Sequence, residues 1–154
     1  MQEINEAGLK IIKDDEGLSL VGYQDHNDKP TVGFGHTGPD VYVGMVINQL
    51  QADNYLQQDV SWARQAVESS VNVPLNTNQF SALVSLVYNI GSGHFQRSPV
   101  LASLNQRHYL EAADNFLVHC HNMAGEVLPG LHRRRMEERE LFWTEVSDGS
   151  AVAS

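Results

Sequence analysis

The stretch Asp15-Glu16-Gly17-Leu18-Ser19-Leu20-Val21-Gly22-Tyr23, followed by Asp25 and then by Thr31-Val32-Gly33-Phe34-Gly35-His36-Thr37, decides how this chain is read. At Gly17 the pattern changes from a helical period to an alternating one. Upstream, Glu6 to about Asp15 reads as a helix: Asn5 is a good N-cap, and Ile4 and Leu9 occupy the two positions of a hydrophobic staple. Gly17 supplies the left-handed residue that ends such a helix. Downstream, Ser19–Tyr23 and Thr31–Phe34 read as short strands separated by the polar run Asp25-His26-Asn27-Asp28-Lys29-Pro30.

Working outward, the four glycines and Pro39 between Gly33 and Gly44 predict a loop. From Ile47 the pattern is helical. Asn48 and Gln51 have capping-box spacing, and Ala52, Leu56, Val60, Ala63 and Val67 form one apolar stripe. Asn76 and Gln79 repeat the box, with Leu75 and Phe80 as a staple and Gly91 as the stop. Ser98-Pro99 opens another helix, since proline is tolerated at the first helical position. Further helices are expected over about Tyr109 to Val118 and Arg133 to Val146. The fold class is therefore α+β and mostly helical, one domain over residues 1–146. A small N-terminal hairpin lobe (about 1–60) precedes a larger helical lobe (61–146), and residues 147–154 read as a frayed tail. The helix from Asn48, read as the bridge between the lobes, implies a cleft beside it.

A chain of 154 residues can bury a core without disulfide or metal support, and its single cysteine, Cys120, excludes an intrachain disulfide. The formal net charge of -9 argues against a nucleic-acid partner. His119-Cys120-His121 places its candidate ligands on adjacent residues, which is not the spacing of a zinc site, so neither metal nor cofactor is expected. Positive charge concentrates in Arg133-Arg134-Arg135 with Arg139 one turn on, a candidate basic patch or solvated face. No secretory signal or membrane-spanning run is visible, so a target outside the cytoplasm requires separate passage.

Glu16 falls in the last turn of the first helix. The carbonyl end of the helix dipole and the neighbouring Asp14 and Asp15 disfavour its charge, as a general acid requires. Asp25 lies in the polar hairpin turn, where water keeps it ionised. Two carboxyl groups in unlike environments are the recurring arrangement for cleaving a glycosidic bond. By themselves, a Glu at a helix end and an Asp in a turn are usually solvated surface residues.

The quoted stretch resembles the active-site signature of the phage lysozyme family, glycoside hydrolase family 24. That family's pattern runs Glu, eight residues, Asp or Cys, five residues, Thr, a spacing kept by Glu16, Asp25 and Thr31. The resemblance continues through Val73-Pro74-Leu75, Asn78-Gln79-Phe80, Asn89-Ile90-Gly91, and Leu128-Pro129-Gly130-Leu131-His132-Arg133-Arg134-Arg135.

The resemblance implies a two-lobed lysozyme-like fold and a muramidase that hydrolyses the β-1,4 bond between N-acetylmuramic acid and N-acetylglucosamine in peptidoglycan, with inversion. Glu16 would protonate the glycosidic oxygen, Asp25 would activate the water or stabilise the transition state, and Thr31 would position the water. Tyr88 and Asn89 match an aromatic-amide pair that contacts sugar. Ser98 either touches glycan or caps its helix, and capping is favoured. His36 matches a histidine held in a structural ion pair, and Arg134 matches the arginine that pairs with Asp15 beside the acid. His119 stands where the family often has Trp, implying local repacking. The implied biology is an endolysin: made in the host cytoplasm, released through a separate holin, active on glycan strands in the periplasm, and monomeric.

Three other readings stand beside this one. A glycan-binding protein that has lost catalysis is opposed by the intact Glu16, Asp25 and Thr31. A lytic transglycosylase needs no attacking water, and is opposed by the water-handling pair Asp25 and Thr31. A membrane-active helix over Arg133 to Trp143 is interrupted by Glu137, Glu138 and Glu140.

Overall fold

The computed structural model describes residues 2–145. Its elements run α1 (Glu6–Glu16), β1 (Ser19–Gln24), β2 (Pro30–Gly33), α2 (Gln49–Asp59), α3 (Ser61–Ser70), α4 (Thr77–Ile90), α5 (Ser92–Gln96), α6 (Pro99–Asn105), α7 (Tyr109–Asn115), a 3-10 turn (Phe116–His119) and α8 (Pro129–Trp143). The expected tail, 147–154, lies outside the described residues. Two compact units emerge, one of residues 12–61 and one joining residues 2–11 to 62–145. Residues 2–11 thus group with the later helices rather than with the hairpin.

The reason is local chemistry at the start of α1. Asn5 caps the helix by accepting from Gly8 N at 3.0 Å. It also donates from its own N to Ser81 Oγ at 2.9 Å and from Nδ2 to Asn78 Oδ1 at 2.8 Å. Gly8 allows the close approach: a Cβ there would stand 2.8 Å from the Ser81 Cβ. Ile4 and Leu9, the staple pair, are both buried.

In the larger unit, α4 forms the centre. Asn76 closes the expected capping box with Gln79, and Gln79 through Val87 are buried without interruption. The Phe116 and Phe142 rings meet at 5.6 Å, packing the 3-10 turn against α8. Here the structure corrects two boundaries. The helix from Tyr109 tightens to 3-10 geometry at Phe116, and α8 begins at Pro129, four residues before the expected Arg133. Proline's fixed φ suits a first helical residue, so α8 starts there. Helix α5, directly after Gly91, was not expected.

In the smaller unit, β1 and β2 pair antiparallel with Tyr23 opposite Thr31 and Gln24 opposite Pro30. Residues 44–47 extend the sheet through Val21↔Val46, and Gly22 N donates to Met45 O at 2.8 Å. Gly22 must lack a side chain, since a Cβ would lie 2.2 Å from Tyr42 O. The Asn48–Gln51 capping box opens α2 as expected. The single helix read from Asn48, however, is two: Val60 has ψ -6° and breaks the run between α2 and α3. All five residues of the stripe remain buried. No glycine or proline marks the break, so the apolar pattern runs straight through it.

Candidate active site

Glu16 is the last residue of α1, followed by Gly17 at φ +72°. The end of that helix is fixed by Lys13, whose Nζ lies 3.3 Å from Asp53 Oδ1 and 5.3 Å above the Phe34 ring. The turn after β2 then approaches the Glu16 carboxyl. Val32 and His36 exchange both backbone hydrogen bonds (2.9 and 2.8 Å), closing a tight loop with Gly33 at φ +68° and Gly35 at φ +80°. A Cβ on Gly35 would stand 2.5 Å from Glu16 Oε2. The Gly-Phe-Gly-His sequence therefore serves two needs, left-handed backbone and room for a carboxylate. Glu16 and Asp15 are both exposed.

Asp25 and Thr31 are organised by one residue between them. Asp25 Oδ1 accepts from Asn27 N at 2.8 Å and Lys29 N at 2.9 Å, and Asp25 N donates to Lys29 O. The Lys29 N–H and then the Asn27 N–H hold the Asp25 carboxyl below the ordinary carboxylate range. Thr31, 4% exposed, donates its hydroxyl proton to Lys29 O at 2.9 Å. With that proton committed, Thr31 Oγ1 faces any further partner as an acceptor. Backbone donors thus favour the ionised Asp25 carboxyl, a role that the sequence reading assigns to water.

His36 is buried, with Nδ1 3.0 Å from both Asp59 carboxylate oxygens and its ring stacked on Tyr55 at 3.9 Å. Since a carboxylate only accepts, Nδ1 carries the proton. Asp40 Oδ1 lies 3.8 Å from Nε2. Burial pushes the Asp59 carboxyl upward, with the His36 hydrogen bond pulling back.

In the larger unit, Tyr88 and Asn89 emerge at the C-terminal end of α4, the first half-buried and the second exposed. The Tyr88 ring stacks with Trp62 at 5.9 Å. Asn89 Oδ1 accepts from Arg135 Nη2 at 2.7 Å. Ser98 is buried. Its Oγ caps α6 by accepting from Val100 N and lies 2.7 Å from His119 Nε2, the capping role of the two expected for it. Burial, then the Arg135 charge, pushes the His119 imidazole down to about 4, so it is neutral and accepts the Ser98 proton.

The arginine cluster departs from the expected solvated or wall-facing patch. Arg134 and Arg135 are buried, and both reach the buried Glu138: Arg135 Nε to Oε1 at 2.8 Å, Arg134 Nε to Oε2 at 3.2 Å. Arg134 Nη2 also donates to Ser85 O at 3.0 Å, and Ser85 Oγ donates to Glu138 Oε2. Arg139 pairs with Asp114 at 2.7 Å. The physical reason is helical spacing: Glu138 sits three and four residues after the two arginines, on one inward face. That spacing was a signal in the sequence; nothing there said that the face is buried. Trp62 likewise went unremarked, and Gly35 and Lys29 were legible only as loop and turn residues.

A family model described as phage lysozyme matches residues 13–138. The endolysin of Salmonella phage P22 is 41% identical over 146 residues, covering 92% of this chain and 99% of its own. A crystal structure of a P22 lysozyme mutant has a TM-score of 0.87 at 39% identity, covering 94% of this chain and 100% of its own. The muramidase domain of SpmX from Asticaccaulis excentricus has a TM-score of 0.83 at 35% identity, covering 94% of this chain and 99% of its own. A family match across most of the chain, with relatives this similar over nearly their full lengths, shows that the chain belongs to the phage lysozyme family.

Proposed function

We propose that this muramidase, a glycoside hydrolase acting as an endolysin on host peptidoglycan, works through Glu16, Asp25 and Thr31 with inversion at the anomeric carbon. The Lys29 backbone carries this reading, because its N–H donates to Asp25 and its carbonyl accepts the Thr31 proton. Glu16 delivers its proton to the glycosidic oxygen as the bond from that oxygen to the muramic C1 breaks. A water donates one hydrogen bond to Thr31 Oγ1 and gives its other proton to Asp25 as its oxygen attacks C1. Inversion needs room for that water, so the two carboxyl groups should stand roughly 6.5–9.5 Å apart in the working enzyme.

Asn89, held by Arg135, and Tyr88 contribute to glycan binding, and pairing of Asp15 with Arg134 belongs to the same reading. So do release through a separate holin and a monomeric working state. The deciding experiment is muropeptide release from purified peptidoglycan. Wild type should yield reducing N-acetylmuramic ends in the α configuration, and Glu16→Gln should yield none. Anhydro ends would assign a transglycosylase instead, and undiminished release by the Gln variant would remove Glu16 from the mechanism.

A further inference from the structure

Trp62 is the second residue of α3, immediately after the break at Val60. Val60, Ala63 and Val67 point inward and are fully or almost fully buried. At 100° per residue, position 62 then lies on the outward side of the helix. The indole is accordingly 43% exposed, a large apolar surface left in water. It does not stand alone. Its ring stacks on Tyr88, with centroids 5.9 Å apart and planes inclined by 29°. Tyr88 is followed by Asn89, whose carboxamide oxygen is held by Arg135. That bond fixes which way the amide faces, and Arg135 is itself immobilised on Glu138.

From this arrangement we infer that Trp62 joins the Tyr88 and Asn89 pair of the proposed glycan site and supplies its flat apolar face, a stacking platform for an amino sugar of the strand whose polar edge meets the Asn89 amide. The inference deepens the proposed function and rests on it for the identity of the sugar. A pyranose ring in this polymer presents a flat face of C–H bonds and an edge of hydroxyl and acetamido groups. The C–H face gains dispersion against an indole held flat by a second ring, and the edge needs a fixed hydrogen-bonding group beside it. Trp62 supplies the first and Asn89 the second. The site asks for no cation, which suits a chain of net charge -9 acting on an anionic polymer.

The two tryptophans are Trp62 and Trp143, so Trp143→Phe leaves Trp62 as sole indole reporter. In the Glu16→Gln, Trp143→Phe protein, titration with N-acetylglucosamine hexamer should shift Trp62 emission to the blue in a saturable way. In the active protein, Trp62→Ala should raise the half-saturating peptidoglycan concentration roughly fivefold to tenfold with kcat nearly unchanged. Trp62→Phe, which keeps a ring, should recover most of that loss. An indole silent to saturating hexamer overturns the platform. So does a Trp62→Ala variant that loses melting temperature and kcat but keeps its half-saturation, since that is a packing residue. The binding titration needs no turnover, so a failed Glu16 assignment and a failed platform give different results.

Discussion

The Glu16 carboxyl rests against the α-carbon of Gly35, with no space between them for a methyl group. Gly35→Ala should therefore cost activity beyond its cost in stability. Its positive φ adds about 1–2 kcal/mol of backbone strain, and the new Cβ would displace the carboxylate. Gly44, at φ +90° with nothing within 4 Å of a Cβ, isolates the strain alone. We expect Gly44→Ala to lose melting temperature and keep muropeptide release, and Gly35→Ala to lose both. Equal activity in the two variants would show that Glu16 tolerates the shift.

Asp25 offers a separation of charge from geometry. Asn at this position still accepts from Lys29 N and Asn27 N, so the turn should persist while activity falls on the order of 10²- to 10⁴-fold. Asp25→Ala removes the acceptor as well and should lower the melting temperature. The carboxyl is held below its ordinary value, so its contribution to stability is present above that value and fades as pH falls through the lowered one. Thermal melts of the three proteins between pH 6 and 3 would show it.

His119 gives a slope at milder acidity. It titrates near 4 in the folded chain against 6.5 when free, so between those values only the unfolded chain takes the proton. Stability should fall as pH drops from about 6.5 towards 4. His119→Gln, which can still accept from Ser98, should flatten that slope in urea denaturation, with midpoints at pH 7 and 5 moving together.

Glu138 is shared by two buried arginines, and its loss leaves both facing an interior without that charge. Glu138→Gln should destabilise by about 3–5 kcal/mol, the range for breaking a buried ion pair from one side. Glu137→Gln, one residue away and exposed, should change little. Denaturant midpoints for the two variants compare them directly.

What was legible in the sequence was local. Asn5, Asn48 and Asn76 announce helix starts because a cap needs only residues within one turn, and all three cap in the structure. The hairpin between Ser19 and Gly33 was equally readable from alternation and its polar turn. The spacing of Glu16, Asp25 and Thr31 carried the family. The break at Val60 was not readable, because the same inward stripe continues on both sides of it. Nor was the burial of Arg134 and Arg135, because three adjacent arginines look like surface until the packing of α8 is known. The crowding of Gly35 by Glu16 joins residues nineteen apart, which no local pattern reports.

The inward turn of α8 also alters what the molecule shows to its surroundings. Two guanidiniums and one carboxylate are withdrawn from contact with water, so the charged side chains left to meet a partner are more acidic in balance than the composition states, and the net charge of -9 stands. Approach to a wall of like sign is then a matter of screening. Turbidity clearing should quicken as sodium chloride rises from a few millimolar towards about 0.1 M, where the Debye length shortens to about 10 Å, the reverse of the dependence a cationic lysozyme would show.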